Sequence, residues 1–194
     1  MSYSDNNNNA VNLFSQTFFQ RIFPGKPFFV QVFSAGVLAA TGDILCQKFI
    51  EKRDKWDPFR TSRFALTTAI VIAPIQFHWF RFMDRRIGNP KRVGPAGKVT
   101  LQTGLKRVLV DQSLIAPALT AAFLFSVNFL DSFSTQNAIQ RTKRIYLDVL
   151  VNNYKFWPFV QIVNLTVIPL HFRVVFLQFF GIFWNIFLSF KTNN

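Results

Sequence analysis

Cysteine is almost missing from this chain of 194 residues, which has a single one, Cys46. One cysteine excludes an intrachain disulfide framework, and the Cys-rich spacing of a zinc site is also missing. The two histidines, His78 and His171, each stand in an apolar run, and neither belongs to a recognisable catalytic motif. The sequence has no phosphate-binding glycine loop and no HExxH-type site. We therefore expect a protein that is not an enzyme and that has no metal and no cofactor.

Acidic residues are scarce as well, with nine Asp and Glu against 22 Lys and Arg, so the formal net charge is +13 at pH 7. Such an excess points either to nucleic acid or to an anionic membrane surface. The basic residues cluster between apolar runs and form no separate basic domain, which favours Lys and Arg that flank membrane spans. We expect the lipid bilayer to be the partner, with no binding of nucleic acid.

Phenylalanine is abundant instead, with 26 residues in a chain that is 50% hydrophobic. Charged residues make up 16% of the chain, against roughly 25% in soluble domains, and the mean hydropathy is +0.21. The composition predicts an all-α fold, a multi-spanning transmembrane helix bundle. We expect residues 1–27 to form a polar, disordered N-terminal tail and residues 28–190 to form a single transmembrane helical domain.

The apolar runs predict about four spans plus a further C-terminal apolar helix, since about 20 helical residues cross a bilayer. The first three runs are residues 28–50, 61–82 and 108–130. The fourth, residues 156–190, is too long for one untilted span. Pro169 removes a helical hydrogen bond and Arg173 is costly at mid-membrane, so we expect a break from His171 to Arg173. Every loop is basic, which leaves the orientation open.

The last run carries a row of uncharged polar residues, spaced so that a helix would place them on one face. The members of this polar stripe are Trp157, Gln161, Asn164, His171, Gln178, Asn185 and Ser189. The stripe predicts either a water-facing wall of a pore or a dry interface in which amides hold helices together. The number of polar residues favours the water-facing surface.

Polar residues within the earlier runs complete the candidates for pore-lining or polar interior positions. These candidates are Asp43, Gln47, His78, Asp111 and Gln112. Asp43 shares a face with Gly36 and should point at a tight helix contact, either as a pore carboxylate or as a structural carboxylate bonded to a neighbouring helix. His78 either titrates near neutral pH or anchors a helix end at the headgroups. Asp111 either lines a pore or forms a local salt bridge with Arg107.

Four motifs occur in order along the chain. The first three are Ala39-Ala40-Thr41-Gly42-Asp43 with Gln47, His78-Trp79-Phe80 after Pro74, and Asp111-Gln112 with Ala116-Pro117. The most specific runs from Asn153-Tyr154-Lys155-Phe156-Trp157-Pro158 through Gln161, Asn164 and Pro169-Leu170-His171-Phe172-Arg173 to Trp184-Asn185 and Leu188-Ser189-Phe190. In order and spacing they resemble the Mpv-seventeen family, also called the 22-kDa peroxisomal membrane protein family, over nearly the whole chain.

The resemblance implies a small multi-spanning protein of the mitochondrial inner membrane or the peroxisomal membrane. Some members of that family are described as non-selective channels for small solutes, and the mitochondrial ones are tied to mitochondrial homeostasis. The motif Pro169-Leu170-His171-Phe172-Arg173 and the acid-free segment of residues 10–27, which contains Arg21 and Lys26, favour the mitochondrial branch. We therefore predict a weakly selective channel for small metabolites in the mitochondrial inner membrane. The alternatives are a non-conducting membrane scaffold or assembly protein and a peroxisomal membrane pore, and homo-oligomerisation is left open.

Overall fold

A computed structural model describes residues 27–87, 101–166 and 173–193 of the chain. All regular structure in these residues is helical, which confirms the all-α prediction. The predicted tail lies outside the described residues except for Pro27, and the predicted domain is described with two gaps. Its division from the tail therefore stays a prediction.

The described residues form five continuous helices, three of which contain a short π-helical segment. Helix α1 comprises Pro27–Leu45 and the π segment Cys46–Ile50. Helix α2 comprises Pro58–Leu66, the π segment Thr67–Ile72 and Ala73–Arg86. Helix α3 comprises Leu101–Val110, the π segment Asp111–Ile115 and Ala116–Ser132. Helix α4 is Thr135–Thr166 and helix α5 is Arg173–Asn193.

Local sequence explains where α2 begins. Asp57 is the N-cap residue, and its side chain accepts a hydrogen bond from the backbone N–H of Arg60 at 3.0 Å. Pro58 occupies the first turn, where a missing N–H costs nothing. This start places Arg60 and Thr61 inside the helix rather than in the preceding loop.

Prolines explain two of the π segments. Pro74 and Pro117 each follow one within two residues. A proline ring presses against the carbonyl four residues earlier, and the wider π turn relieves that contact. Gln47 lies in the first π segment, and Asp111 and Gln112 lie in the third.

Helices that follow one another along the chain run antiparallel, as three contacts between α1 and α2 show. Arg60 contacts Asp43, Ala69 lies beside Gly36, and the Phe77 ring meets the Phe28 ring at 5.2 Å. Two contacts in each case show the same order for α2 with α3, for α3 with α4 and for α4 with α5. The bundle therefore has two ends. We call them the Asp57 end, which holds the α1–α2 and α3–α4 connections, and the Arg86 end.

All five helices contribute to one apolar core. Its buried members are Ala39, Phe64, Phe123, Leu124, Val127, Val149 and Leu188. The rings of Phe64 and Phe123 meet edge to face at 4.9 Å, a favourable geometry for an aromatic pair. Large apolar side chains also cover the outside, among them Phe33, Ile70, Leu109 and Phe159, each more than 60% exposed. An exterior of this kind suits lipid rather than water.

Two helical segments of the described chain, Phe28–Ile50 and Gln102–Ser132, are long and apolar enough to cross a membrane. They correspond to the first and third predicted runs. The second run lies within α2, and the fourth is divided between α4 and α5. The total of four spans plus a further helix stays a prediction. The expected break from His171 to Arg173 lies outside the described residues, except that the α5 backbone begins at Arg173.

Candidate functional site

A buried carboxylate is the centre of a polar network near the Asp57 end. Asp43 has no exposed surface. Its Oδ1 accepts hydrogen bonds from Arg60 Nε at 2.9 Å and from Ser189 Oγ at 2.6 Å. Its Oδ2 accepts from Gln47 Nε2 at 2.8 Å and from Thr61 Oγ1 at 2.6 Å. One opposite charge and three further donors offset the cost of burying this carboxylate.

Arg60 joins three parts of the bundle through one guanidinium, which is 2% exposed. Its Nη1 and Nη2 donate to the two Glu51 oxygens at 2.7 and 2.8 Å. Nη2 also donates to Ser189 Oγ at 2.7 Å. Arginine presents its donors in a rigid fork that matches such acceptors. Because these partners belong to α1, the segment after it and α5, we call Asp43, Glu51, Arg60 and Ser189 the ionic lock.

Glu51 lies just beyond the first candidate span. Its pKa falls from 4.5 to about 2, chiefly because Arg60 donates hydrogen bonds to the ionised carboxylate. Burial acts in the opposite direction, but the Arg60 charge and a hydrogen bond from Arg53 Nε at 2.7 Å outweigh it. Glu51 is therefore ionised throughout the physiological pH range.

Gln47 closes the connection between α1 and α2. Its Oε1 accepts from the Asp57 backbone N–H at 2.8 Å, and its Nε2 donates to the Asp57 carbonyl at 3.2 Å. The indole N–H of Trp56 donates to Thr61 Oγ1 at 2.9 Å. The Gln47 side chain of α1 thus fixes the position of the loop before α2, and with it the position of Arg60 beside Asp43.

Two glycines allow α1 to approach its neighbours closely. A Cβ added at Gly36 would lie 3.2 Å from the Ala69 Cβ on α2. A Cβ added at Gly42 would overlap the Asn185 Cβ and lie 3.1 Å from the Asn185 carbonyl carbon on α5. The tight helix contact predicted for the Gly36 face is therefore present, and Asp43 lies on the same side of α1.

The candidates toward the Arg86 end occupy a different environment. Asp111 Oδ1 accepts from Trp79 Nε1 at 2.9 Å, which links α3 to α2. Asp111 Oδ2 accepts from Gln112 Nε2 at 3.3 Å, and Arg107 Nε donates to the Ile87 carbonyl at 2.9 Å. His78 is exposed and lies against the rings of Phe77 and Phe28. The structure does not bring these side chains into the ionic lock.

The structure divides the predicted polar stripe between two helices. Asn164 is buried on α4, while Gln161, also on α4, is half-buried. On α5, Gln178 and Asn185 are half-buried, and Ser189 belongs to the ionic lock. Asn185 packs against Gly42, so this part of α5 faces a neighbouring helix. His171 lies outside the described residues.

Four buried side-chain oxygen atoms have no hydrogen-bond partner within the part of the chain that the structure describes. They are Thr67 Oγ1, Gln112 Oε1, Asn153 Oδ1 and Asn164 Oδ1. Asn153 and Asn164 are separated by eleven residues, or three helical turns, and share a face of α4. Thr142, eleven residues before Asn153, lies on that face as well and contacts Asn128 of α3.

The antiparallel order of α3 and α4 places Gln112 close to the level of Asn153. Tyr146 Oη donates to the Pro117 carbonyl at 3.3 Å, so these two residues lie at the same level. Five residues before Pro117 is Gln112, and five residues after Tyr146 is position 151. We call Gln112, Asn153 and Asn164 the unpaired amides. They lie in the half of the α3–α4 pair that leads away from the Asp57 end.

Sequence reasoning selected Asp43 and Gln47 but missed Arg60, Glu51 and Asn153. The cap signal of Asp57 followed by Pro58 could have identified Arg60, because it begins α2 early enough for Arg60 to face Asp43. The spacing of eleven residues from Asn164 could have identified Asn153. Nothing in the local sequence distinguishes Glu51 from the other charged residues of its loop.

Comparison with known proteins gives one family and many relatives. The family described as Mpv17 / PMP22 matches residues 128–189. A Caenorhabditis elegans protein named mitochondrial inner membrane protein Mpv17 is 32% identical over 90% of this chain and 91% of its own. Proteins of the same name from Rattus norvegicus and Homo sapiens are 33% and 32% identical, each over 90% of this chain and 96% of theirs. No solved structure matches the chain.

Proposed function

Because this chain belongs to the Mpv17 / PMP22 family and is a mitochondrial inner-membrane protein, we propose that it forms a weakly selective channel for small metabolites. The unpaired amides carry the proposal. A buried oxygen without a partner costs about 1–3 kcal/mol, and protein interiors relieve that cost with ordered water. Three such oxygens along one pair of helices favour a hydrated path between α3 and α4.

The chemistry of this path supports weak selectivity. Amide oxygens offer hydrogen bonds to many small solutes without a strong electric field, whereas strict selectivity uses charged rings or a carbonyl cage. Asp43 adds little field, because Arg60 neutralises it at 2.9 Å. We assign the ionic lock to holding the bundle together rather than to the path, and we assign no catalysed reaction to the chain.

Conductance of the purified protein in a planar bilayer tests the proposal. Asn153→Leu and Asn164→Leu each replace an amide by an apolar side chain with the same branching and the same number of heavy atoms, so both should lower the single-channel conductance. Asn128→Leu is the matched control, because Asn128 is equally buried in the same pair of helices but donates to Thr142 at 3.3 Å. We expect Asn128→Leu to conduct like the wild type.

Two results would contradict the channel. One is an absence of conductance from folded wild-type protein, and the other is an equal loss in all three variants. The same measurement addresses the second candidate, a non-conducting scaffold. The observation that favours a scaffold is the ionic lock, in which buried charges connect α1, α2 and α5. A scaffold would show no conductance in any variant.

A further inference from the structure

A basic cavity of about 420 Å³ lies on α2 toward the Arg86 end. It is lined by His78, Arg81, Phe82, Arg85 and Arg86. These residues recur at steps of three and four, so they line one face over about 12 Å of helix. We call this site the Arg81 cavity. Neither the ionic lock nor the unpaired amides share a residue with it.

The charges of the Arg81 cavity have little compensation from the side chains that the structure describes. Arg81, Arg85 and Arg86 are all exposed, and no ion pair between described side chains involves them. Their ring contacts are with Phe77, 5.4 Å from Arg81, and with Phe82, 6.0 Å from Arg86. Stacking on a ring occupies the face of a guanidinium and leaves the N–H groups at its edge able to donate.

The surrounding sequence adds further positive charge. Residues 81–107 contain eight Lys and Arg and one acid, Asp84, whose side chain is not described. One carboxylate can neutralise one of these charges at most. The C-terminal end of α2 also carries the partial negative charge of the helix dipole, about half an elementary charge. Even together, the carboxylate and the dipole leave a net positive surface around Arg81, Arg85 and Arg86.

We propose that the Arg81 cavity binds a phosphate group. Arginine binds phosphate through paired N–H···O hydrogen bonds, and neighbouring guanidiniums can each donate to one phosphate. The volume falls within the range of small-molecule sites and is sufficient for a phosphate ester with part of its carrier. Phe82, which is exposed, provides an apolar wall beside the charges. The same chemistry fits the headgroup of an anionic phospholipid and a soluble phosphate compound.

Binding to full-length protein in nanodiscs tests the proposal with two probes. One is cardiolipin, added to phosphatidylcholine discs and counted by native mass spectrometry. The other is inorganic pyrophosphate, titrated by calorimetry into discs of phosphatidylcholine alone. Arg81→Gln with Arg85→Gln should weaken binding of the successful probe by about tenfold or more, because it removes charge-assisted hydrogen bonds. Lys143→Gln with Arg144→Gln removes the same charge from exposed positions on α4 and should have no such effect.

The outcomes separate the two sources of phosphate. Binding of cardiolipin alone would assign the cavity to a lipid headgroup, and binding of pyrophosphate alone would assign it to a soluble compound. Binding of neither probe to the wild type, or equal weakening by both double variants, would overturn the proposal. Wild-type protein gives an independent check through phenylglyoxal labelling. The bound probe should protect Arg81 and Arg85 but not Arg144, and equal labelling with and without probe would also overturn the site.

Discussion

Removing the Arg60 charge should destabilise the bundle far more than removing the Arg53 charge, although both guanidiniums contact Glu51. Arg60 is 2% exposed and also contacts Asp43 and Ser189. Arg53 is 41% exposed, and it forms an ion pair with Glu51 at 2.7 Å. Arg60→Gln would leave two buried carboxylates without their main opposite charge. Arg53→Gln would remove one exposed contact from a carboxylate that keeps Arg60.

The expected magnitudes follow from burial. Breaking a buried ion pair by removing one partner costs about 3–5 kcal/mol, whereas an exposed pair contributes about 0–1 kcal/mol. For a chain of this length, each kcal/mol shifts Tm by roughly 2–4 °C. Arg60→Gln should therefore lower Tm by roughly 6–20 °C, and Arg53→Gln by about 4 °C or less.

Thermal unfolding of purified protein in detergent micelles, followed by tryptophan fluorescence, measures both shifts. The double variant Asp43→Asn with Arg60→Gln adds a test of coupling. The double variant also removes the Asp43 charge, which Arg60→Gln alone leaves buried without its partner. Its loss of unfolding free energy should therefore be smaller than the sum of the losses in the two single variants, by about 0.5–3 kcal/mol. Equal Tm values for Arg60→Gln and Arg53→Gln, or strict additivity in the double variant, would refute the ionic lock.

Two further predictions concern packing and pH. Gly42→Ala should lower the free energy of unfolding by about 1–3 kcal/mol, because its methyl group meets Asn185. Gly181→Ala, with nothing within 4 Å of the added methyl group, should leave the stability unchanged or raise it. Equal melting temperatures of the two variants would contradict the close α1–α5 contact. Folding lowers the pKa of Glu51 from 4.5 to about 2, so its stabilisation of at most about 3 kcal/mol should be complete above pH 4.5 and lost as the pH falls toward 2. As the pH is lowered from 6, the Tm of Glu51→Gln should therefore fall less steeply than the Tm of the wild type. An equal dependence of Tm on pH in the two proteins would contradict the assignment.

The face of α1 that packs against the other helices could be predicted, because local sequence determines it. Small residues and Asp43 share one face, and helical periodicity places Val37 on another. The structure agrees, with Asp43 fully buried and Val37 48% exposed. The apolar runs predicted helices for the same reason, since each run is a local property of the chain.

The partners of Asp43 could not be predicted in this way, because they depend on contacts between distant segments. Ser189 lies 146 residues away along the chain. Arg60 and Glu51 belong to a stretch that looks like an exposed basic loop, and a charge pattern alone does not separate a buried arginine from a solvated one. The cap at Asp57 is the local signal that moves Arg60 into α2.

The polar stripe shows a second limit of periodicity. The pattern correctly groups residues on one face of a helix but does not identify what that face meets. Asn185 and Ser189 meet α1 at Gly42 and Asp43. Asn164 lies on the same face of α4 as Thr142, and Thr142 contacts Asn128 of α3 nearer the start of α4. A face against a neighbouring helix and a face against water have the same polar spacing in sequence.

The stability of Asn153→Leu distinguishes these two surroundings and complements its conductance. In a dry interface the buried Oδ1 has lost water and gained no partner, so leucine should raise stability by about 1–3 kcal/mol. Along a hydrated path the amide is solvated, and leucine would place apolar surface against water, so stability should stay level or fall. The channel requires a lowered conductance together with no gain in Tm. A clear gain in Tm, above that of Asn128→Leu, would mean that the unpaired amides lie in a dry contact, and the scaffold would then be the better account of the same bundle.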